Sequence, residues 1–399
     1  MTFRLTALVG SVAVSLALLA APAAGGQGGE RLRMYTVRGP AAEVAKATQG
    51  VELAGVEQTT RGLKAEAVLT RDQVSKLRAS GVRVKLTRNK KGQTVAQQFA
   101  AQAAGGFNVW RSWDEPGGIR DELYDVARSN PQLVKLEVLG HTHQGRELIA
   151  LKVTQGARGQ RDGSRPAVLY SSLQHAREWI SVEVNRRTLH HFVNRWRAND
   201  KQIRDLLKST ELWFVLVANP DGYQYTFDVE RLWRKTLRDN NGDGQITNGD
   251  GVDPNRNYPE HWNYDNEGSS SQFSSDTYRG PSAGSEPETK AIMGLYDRID
   301  FKFHVNYHSF GEWLLYPEGW QIGTASQDDP IYFALSGNND NPAIPGFQPG
   351  LSSDVLYVTN GETTDFAHTQ RGTLAWTPEL SEGCPGCGFV FPDDPALVH

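Results

Sequence analysis

Four short segments constrain the fold of this chain more than anything else in it. "PAVLYSSL" (166–173), "ELWFVLVANPDG" (211–222), "FKFHVNYHS" (301–309) and "TLAWTPEL" (373–380) read as strands, most of them apolar on both faces. A strand with one wet face alternates apolar and polar residues, so strands without alternation belong inside a sheet covered on both sides. Helical patterns intervene, notably Ile180–Trp196. The expected fold is therefore α/β, with a mixed, mostly parallel sheet sandwiched by helices. "LVKLEVLG" (133–140) and "ELIALKV" (147–153) read as two further strands joined by a Gly-containing turn. Ahead of them, "GGIRDELYDVARSNP" (117–131) reads as an amphipathic helix carrying Ile119, Leu123 and Val126 on one face and ended by Pro131.

Residues 27–105 have a different character. Strands are expected at Met34–Val37, Val51–Val56, Leu63–Leu69 and Val82–Leu86, with helices from Ala41 and from Asp72. Thr70 and Gln73 fit a capping box, and Val74 and Leu77 share a face of the helix that follows. This βαββαβ order suits a small α+β module of the split βαβ kind. "RNKK" (88–91) and an Ala/Gln/Gly-rich stretch to Gly106 then read as a basic cluster before a linker, a place for proteolytic cleavage or simply a solvated charge run.

At the extreme amino terminus, Arg4 precedes an apolar run to about Ala20, and Ala21 and Ala23 stand in an A-x-A relation. Residues 1–24 thus read as a cleaved export signal, the alternative being an uncleaved anchor. The only two cysteines, in "CPGC" (384–387), then fit one small local disulfide in an exported chain. A formal charge of −4 over 399 residues gives no basic footprint for nucleic acid, and no other segment is long and apolar enough to span a membrane.

Chemistry gathers at strand ends. "QHAREW" follows the first of the four buried strands and spaces His175 and Glu178 as H-x-x-E. In open α/β sheets ligands bind at the carboxyl ends of strands. "HVNYHSFG" offers a third donor, His308, closing an apolar strand before a Gly turn, while His304 reads as a core histidine. Two His, one Glu and an open fourth position are the donor set of zinc hydrolases, and the absent H-E-x-x-H excludes a thermolysin-like site.

"HAREW", "NPDGYQYT", "RLWRKT", "GVDPNRNY", "YHSFGEWLLYP" and "WTPEL" occur in the order and rough spacing of the zinc metallocarboxypeptidases of the carboxypeptidase A/B and carboxypeptidase T kind. The chain resembles that family over about residues 107–395, and the module before it looks like the family's inhibitory pro-region. The implied organisation is a signal at 1–24, a pro-region with linker at 27–105 and a catalytic domain at 107–399. The resemblance implies one zinc per chain on His175, Glu178 and His308. It makes Glu379 the general base and Arg234 the group that polarises the scissile carbonyl. Asn255 and Arg256 would hold the substrate's terminal carboxylate, Tyr357 would close over it, and Arg177 would line an outer subsite. A guanidinium suits a free carboxylate because it binds it bidentately.

Residues 239–258, "DNNGDGQITNGDGVDPNRNY", carry two signals in one loop. Asp239, Asn241, Asp243, Gln245 and Asp250 fall at positions 1, 3, 5, 7 and 12 of an EF-hand-type calcium loop, with Gly244 at position 6. Position 12 is Asp rather than the usual Glu, and a polar surface turn is the alternative. Calcium here is expected to order the connection between Arg234 and the Asn255–Arg256 pair.

In the family the base of the specificity pocket lies seven residues after the capping Tyr, which places Thr364 there; Asp354 lies three before Tyr357. Broad specificity is the expectation. The family's "HSY" is "HSF" here, at Phe310, and the chain stops at His399 where relatives continue into a final helix, as a fragment or an early end of the fold would. The leading expectation is an exported, monomeric proenzyme acting on peptide and protein C-termini, with its own pro-region as inhibitor. Cleavage of peptidoglycan stem peptides, and a calcium-binding pseudo-peptidase, are the alternatives.

Overall fold

In the computed structural model, residues 31–60, 62–383 and 386–397 are described. The expected export segment and Cys384 lie outside them. Cys387 is disulfide-bonded. Among the described residues no helix is long and apolar enough to cross a membrane.

The amino-terminal module follows the expected order: β1 (Arg33–Gly39), α1 (Ala41–Ala47), β2 (Leu53–Thr59), β3 (Gly62–Leu69), α2 (Arg71–Ala79) and β4 (Arg83–Leu86). Its sheet runs β2-β3-β1-β4, all antiparallel. The capping box forms, with Gln73 N–H donating to Thr70 Oγ1 at 3.2 Å and Thr70 N–H to Gln73 Oε1 at 2.8 Å. Val74 and Leu77 are buried in the module's own core. The stretch expected to be a linker is instead largely a helix, α3 (Val95–Gly105), started by a second capping box at Thr94 and Gln97. Its Ala/Gln composition favours helix, and tertiary contacts hold it: Gln98 and Gln102 donate to the carbonyls of Gly386 (2.7 Å) and Phe391 (2.8 Å).

Beyond it come α4 (Ile119–Ser129), β5 (Val134–His141), β6 (Glu147–Val153), β7 (Ala167–Ser172), α5 (Trp179–Arg197), α6 (Lys201–Ser209), β8 (Glu211–Val215) and α7 (Pro220–Asp228). Then follow α8 (Pro287–Tyr296), β9 (Phe301–Ser309), β10 (Trp313–Tyr316) and α9 (Asp329–Ser336). The pair β11 (Gly337–Asn338) and β12 (Asn341–Pro342) precedes β13 (Gln348–Leu351) and β14 (Leu374–Leu380). The main sheet has the order β13-β10-β14-β9-β7-β8-β6-β5. Its centre, β14-β9-β7-β8, is wholly parallel, and antiparallel pairs lie toward the edges. These central strands are the four segments singled out in the sequence; β8 is buried along its whole length, whereas β9, whose sequence alternates apolar and polar residues, leaves Lys302 and Phe303 exposed at its start.

Aromatic packing fixes the start of α5. Trp179, its first residue, stacks on Phe227 at 4.0 Å and meets Phe99 of α3 edge-on at 5.5 Å. Arg231 lies 3.9 Å over the same indole. Aromatic pairs contribute about 0.5–1.5 kcal/mol each beyond burial, so the helix is clamped immediately after Glu178.

Candidate metal centre and substrate cleft

The site begins at a forced turn. Leu173, just past β7, sits at φ 57°, a conformation unusual for a residue with a side chain. It turns the chain so that Gln174–Glu178 cross the carboxyl end of the sheet before α5 starts. His308 comes from the end of β9, the neighbour of β7, and Glu379 lies directly opposite His308 in the β14–β9 register. Three adjacent parallel strands thus deliver residues far apart in sequence to one point.

His175, Glu178 and His308 converge there, all buried. His175 Nδ1 is 2.8 Å from Glu178 Oε1, His308 Nδ1 is 3.1 Å from Glu178 Oε2, and the two Nδ1 atoms are 3.1 Å apart. A tetrahedral ion with bonds of about 2.0–2.1 Å needs donor edges of about 3.3 Å. Two ring nitrogens and a carboxylate turned toward one another fit a dication. Burial alone would raise the Glu178 carboxyl, but the two imidazoles hold it well below the ordinary range.

The far sides of the ligands are also held. His175 Nε2 lies 3.1 Å from Asp253 Oδ1, and the other oxygen of Asp253 accepts from Arg234 at 2.7 Å. Despite its burial, Asp253 is kept well below the carboxylate range by Arg234, His175 and Arg256. Such carboxylate–histidine pairs fix the ring's tautomer and orientation. His308 Nε2 is 3.3 Å from Gln174 Oε1, and Ser309 N–H donates to Glu178 Oε2 at 3.1 Å. His304 is a core residue, bonded to Tyr296 and Ser171, and burial brings its ring down to about 3.

Arg234 and Arg256 are both buried. Asp253 caps the 3-10 turn Pro254–Arg256 through Asn255 N–H at 2.9 Å. Arg256 Nε donates to Gly268 O (3.0 Å), and Asn255 Oδ1 accepts from Thr363 N–H (2.9 Å) and Thr363 Oγ1 (2.7 Å). Gly361, at φ 70°, lies against this turn; a Cβ there would meet Arg256 O at 2.6 Å. Glu379 is partly buried, and burial with the charges of Glu178 and Glu52 pushes its carboxyl well up against Arg234 and Arg256. Tyr357 lies within electrostatic reach of Arg256, Arg234 and Glu379.

Three further residues belong to the site beyond those expected from the sequence. Glu52, between α1 and β2, reaches across from the amino-terminal module and ion-pairs with both Arg177 and Arg234. The two guanidiniums outweigh burial and hold its carboxyl below the ordinary value. Asp253 lies in plain view inside "GVDPNRNY", where Asp-Pro at a turn start is an N-cap signal. Glu362 is the acid beside Thr364, the expected base of the specificity pocket: Thr364 Oγ1 donates to its Oε1 at 2.9 Å and Thr359 Oγ1 to its Oε2 at 2.7 Å. Asp354, the acid expected nearby, is exposed and accepts from Gly323 N–H at 2.7 Å. Phe310 packs edge-on against Phe389 at 5.2 Å.

The 239–250 loop closes on itself. Asp239 accepts from Gly242 and Gly244 N–H at 2.7 Å each, and Asp243 accepts from Gln245 N–H at 2.8 Å. Asn241 accepts from Asp243 N–H at 3.0 Å. Asp250 is fully buried and gives its oxygens to Asn240 and Thr247 amides, both at 2.9 Å. Among the described residues the three acids of this loop do not form a convergent donor group.

A zinc carboxypeptidase family model matches residues 119–395. Carboxypeptidase B of Astacus astacus is 30% identical over 291 residues, covering 71% of this chain and 91% of that protein. Zinc carboxypeptidase A 1 of Drosophila melanogaster is 36% identical over 294 residues, covering 71% and 65%. Among solved structures, carboxypeptidase A of Helicoverpa armigera matches with a TM-score of 0.70 at 24% identity, covering 91% of this chain and 92% of its own. The likeness to that structure is one of fold. With the convergent His-Glu-His set, these matches identify the chain as a metallocarboxypeptidase, a hydrolase of C-terminal peptide bonds: it belongs to the zinc carboxypeptidase family.

Proposed function

We propose that this chain is an exported, latent zinc exopeptidase whose amino-terminal module blocks its own substrate cleft. Zinc held by His175, Glu178 and His308 supplies Lewis-acid polarisation when bound. Glu379 takes the proton of the attacking water and returns it to the leaving amine. Arg234 offers a fixed positive charge where the oxyanion develops, and Asp253 keeps that guanidinium in place at 2.7 Å. Arg256, Asn255 and Tyr357 hold the terminal carboxylate, and Arg177 an outer part of the substrate. Thr364 and Glu362 form the floor of the side-chain pocket.

The observation that carries this reading is Glu52. A carboxylate from the pro-region lies on Arg177 and Arg234, two arginines expected to meet substrate, so substrate and pro-region compete for the same charges. Glu379→Gln tests the chemistry. The variant should keep one zinc at the His-Glu-His set and lose hydrolysis by about 10²–10⁴-fold, the range for a general base. Near-full activity in that variant would move the base elsewhere.

Calcium on the 239–250 loop belongs to the same proposal, favoured by Asp239 accepting from Gly244, a closure between positions 1 and 6. Binding requires Asp250 to leave its loop amides. A calcium-specific chelator should then lower thermal stability without removing zinc; an unchanged melting curve would end the calcium reading. The processed enzyme is expected to act as a monomer.

A further inference from the structure

Away from the zinc triad, the turn between β5 and β6 meets the start of α8. Glu286, the N-cap residue of α8, accepts from Ser285 Oγ (2.8 Å) and Thr236 Oγ1 (3.1 Å), and its Oε2 lies 2.9 Å from His143 Nε2. Arg238 is 3.4 Å from its other oxygen. Two residues on, Glu288 is 2% exposed, and neither of its carboxylate oxygens has a hydrogen-bond partner in another residue. Burial, Glu286 and Asp221 push its carboxyl well up, and its own backbone amide offsets only part of that. Asp221 offers no relief, because Arg146 and the Gln144 amide occupy its oxygens at 2.9 Å each.

A neutral carboxylic acid would still need an acceptor for its O–H and a donor for its carbonyl. A buried polar group left without partners is destabilising, because the bonds it made to water are not replaced. One ligand atom from each of His143, Glu286 and Glu288 lies within 4.8 Å of the others. The ring of His143 is 27% exposed, which opens the group to solvent. An imidazole with two carboxylates suits a zinc-like transition ion better than calcium, which takes oxygen donors.

We infer that His143, Glu286 and Glu288 form a second site for a divalent transition-metal ion, which ties the β5–β6 turn to the start of α8. The inference does not depend on the reaction proposed above. Zinc itself is the probe: full-length chain is stripped with chelator, reloaded with Zn²⁺, freed of excess, and its metal counted per chain by mass spectrometry. The wild type should hold two zinc ions, and His143→Ala and Glu288→Gln one each. His308→Ala should also hold one, and added zinc should raise its melting temperature; the His308→Ala/His143→Ala double variant should show no such rise. His143 sits at the solvent edge, so its loss leaves the packing intact even where Glu288→Gln disturbs it. One zinc ion in both wild type and His143→Ala would overturn the inference. So would a Glu288→Gln chain that is more stable with an unchanged metal count, the behaviour of a buried neutral acid.

Discussion

Replacing Glu52 by Gln keeps the shape of the side chain and removes its charge. In the intact chain the carboxylate joins Arg177 and Arg234, and neither arginine depends on it alone. Arg177 also pairs with Asp276 at 3.2 Å, and Arg234 with Asp253 at 2.7 Å. Loss of Glu52 therefore strands no buried cation, and the effect reports the bridge itself. Two charge-assisted hydrogen bonds contribute about 1.5–3 kcal/mol each, and the desolvation of a buried carboxylate offsets part of that. The net hold is about 2–4 kcal/mol. At about 1.4 kcal/mol per tenfold, the blocked state of Glu52→Gln should be roughly 30- to 700-fold weaker. The assay is hydrolysis of a short acyl-dipeptide by the unprocessed, zinc-loaded chain, with kcat/KM divided by that of the same variant after processing. That ratio should rise by this factor, and Glu52→Asp should fall between. A Glu52→Gln chain as silent as the wild type would refute the electrostatic account, leaving the contacts of α3 and the apolar face of the module to close the cleft.

Asp253→Asn should weaken zinc binding by about 10–100-fold, as loss of a ligand-orienting carboxylate does; competition with a chromophoric chelator measures it, and unchanged affinity would remove Asp253 from the metal's support. Glu362→Gln should lower kcat/KM for C-terminal Lys or Arg relative to Leu, since it takes a buried charge from beside Thr364; an unchanged ratio would mean that the acid does not face the pocket. Glu122, paired with His190 and Arg186, has its carboxyl lowered to about 2 despite burial. Its contribution to stability is present above about pH 4.5 and is lost as pH falls toward 2. Urea unfolding between pH 5 and 3 should therefore show a shallower loss of stability in Glu122→Gln than in the wild type, and equal slopes would contradict the pairing.

Most of the central sheet is legible in the sequence because burial on both faces leaves a compositional mark in a strand such as β8; β9 alternates apolar and polar residues and lacks that mark. The proposed zinc ligands are legible because they stand at strand ends, where local sequence announces the turn: His175 and Glu178 lie just before α5, and His308 closes β9. Long-range pairing leaves no such mark. Nothing in "GVEL" (50–53) announces that Glu52 will meet two arginines more than a hundred residues away. Asp354 looks like a pocket acid by its distance from Tyr357, but the backbone turns that side chain outward to Gly323 and brings Glu362 inward. The segment 94–105 misleads for the opposite reason. Its composition looks like a linker, while its Thr94–Gln97 capping box is a local helix signal.

The most direct test of a C-terminal exopeptidase is one unstructured peptide offered to the processed enzyme as free acid and as C-terminal amide, with products followed by mass over time. Single residues should be lost stepwise from the acid and far less from the amide, because the amide offers no carboxylate to the clamp proposed at Arg256. Internal fragments at equal rates from both forms would contradict it.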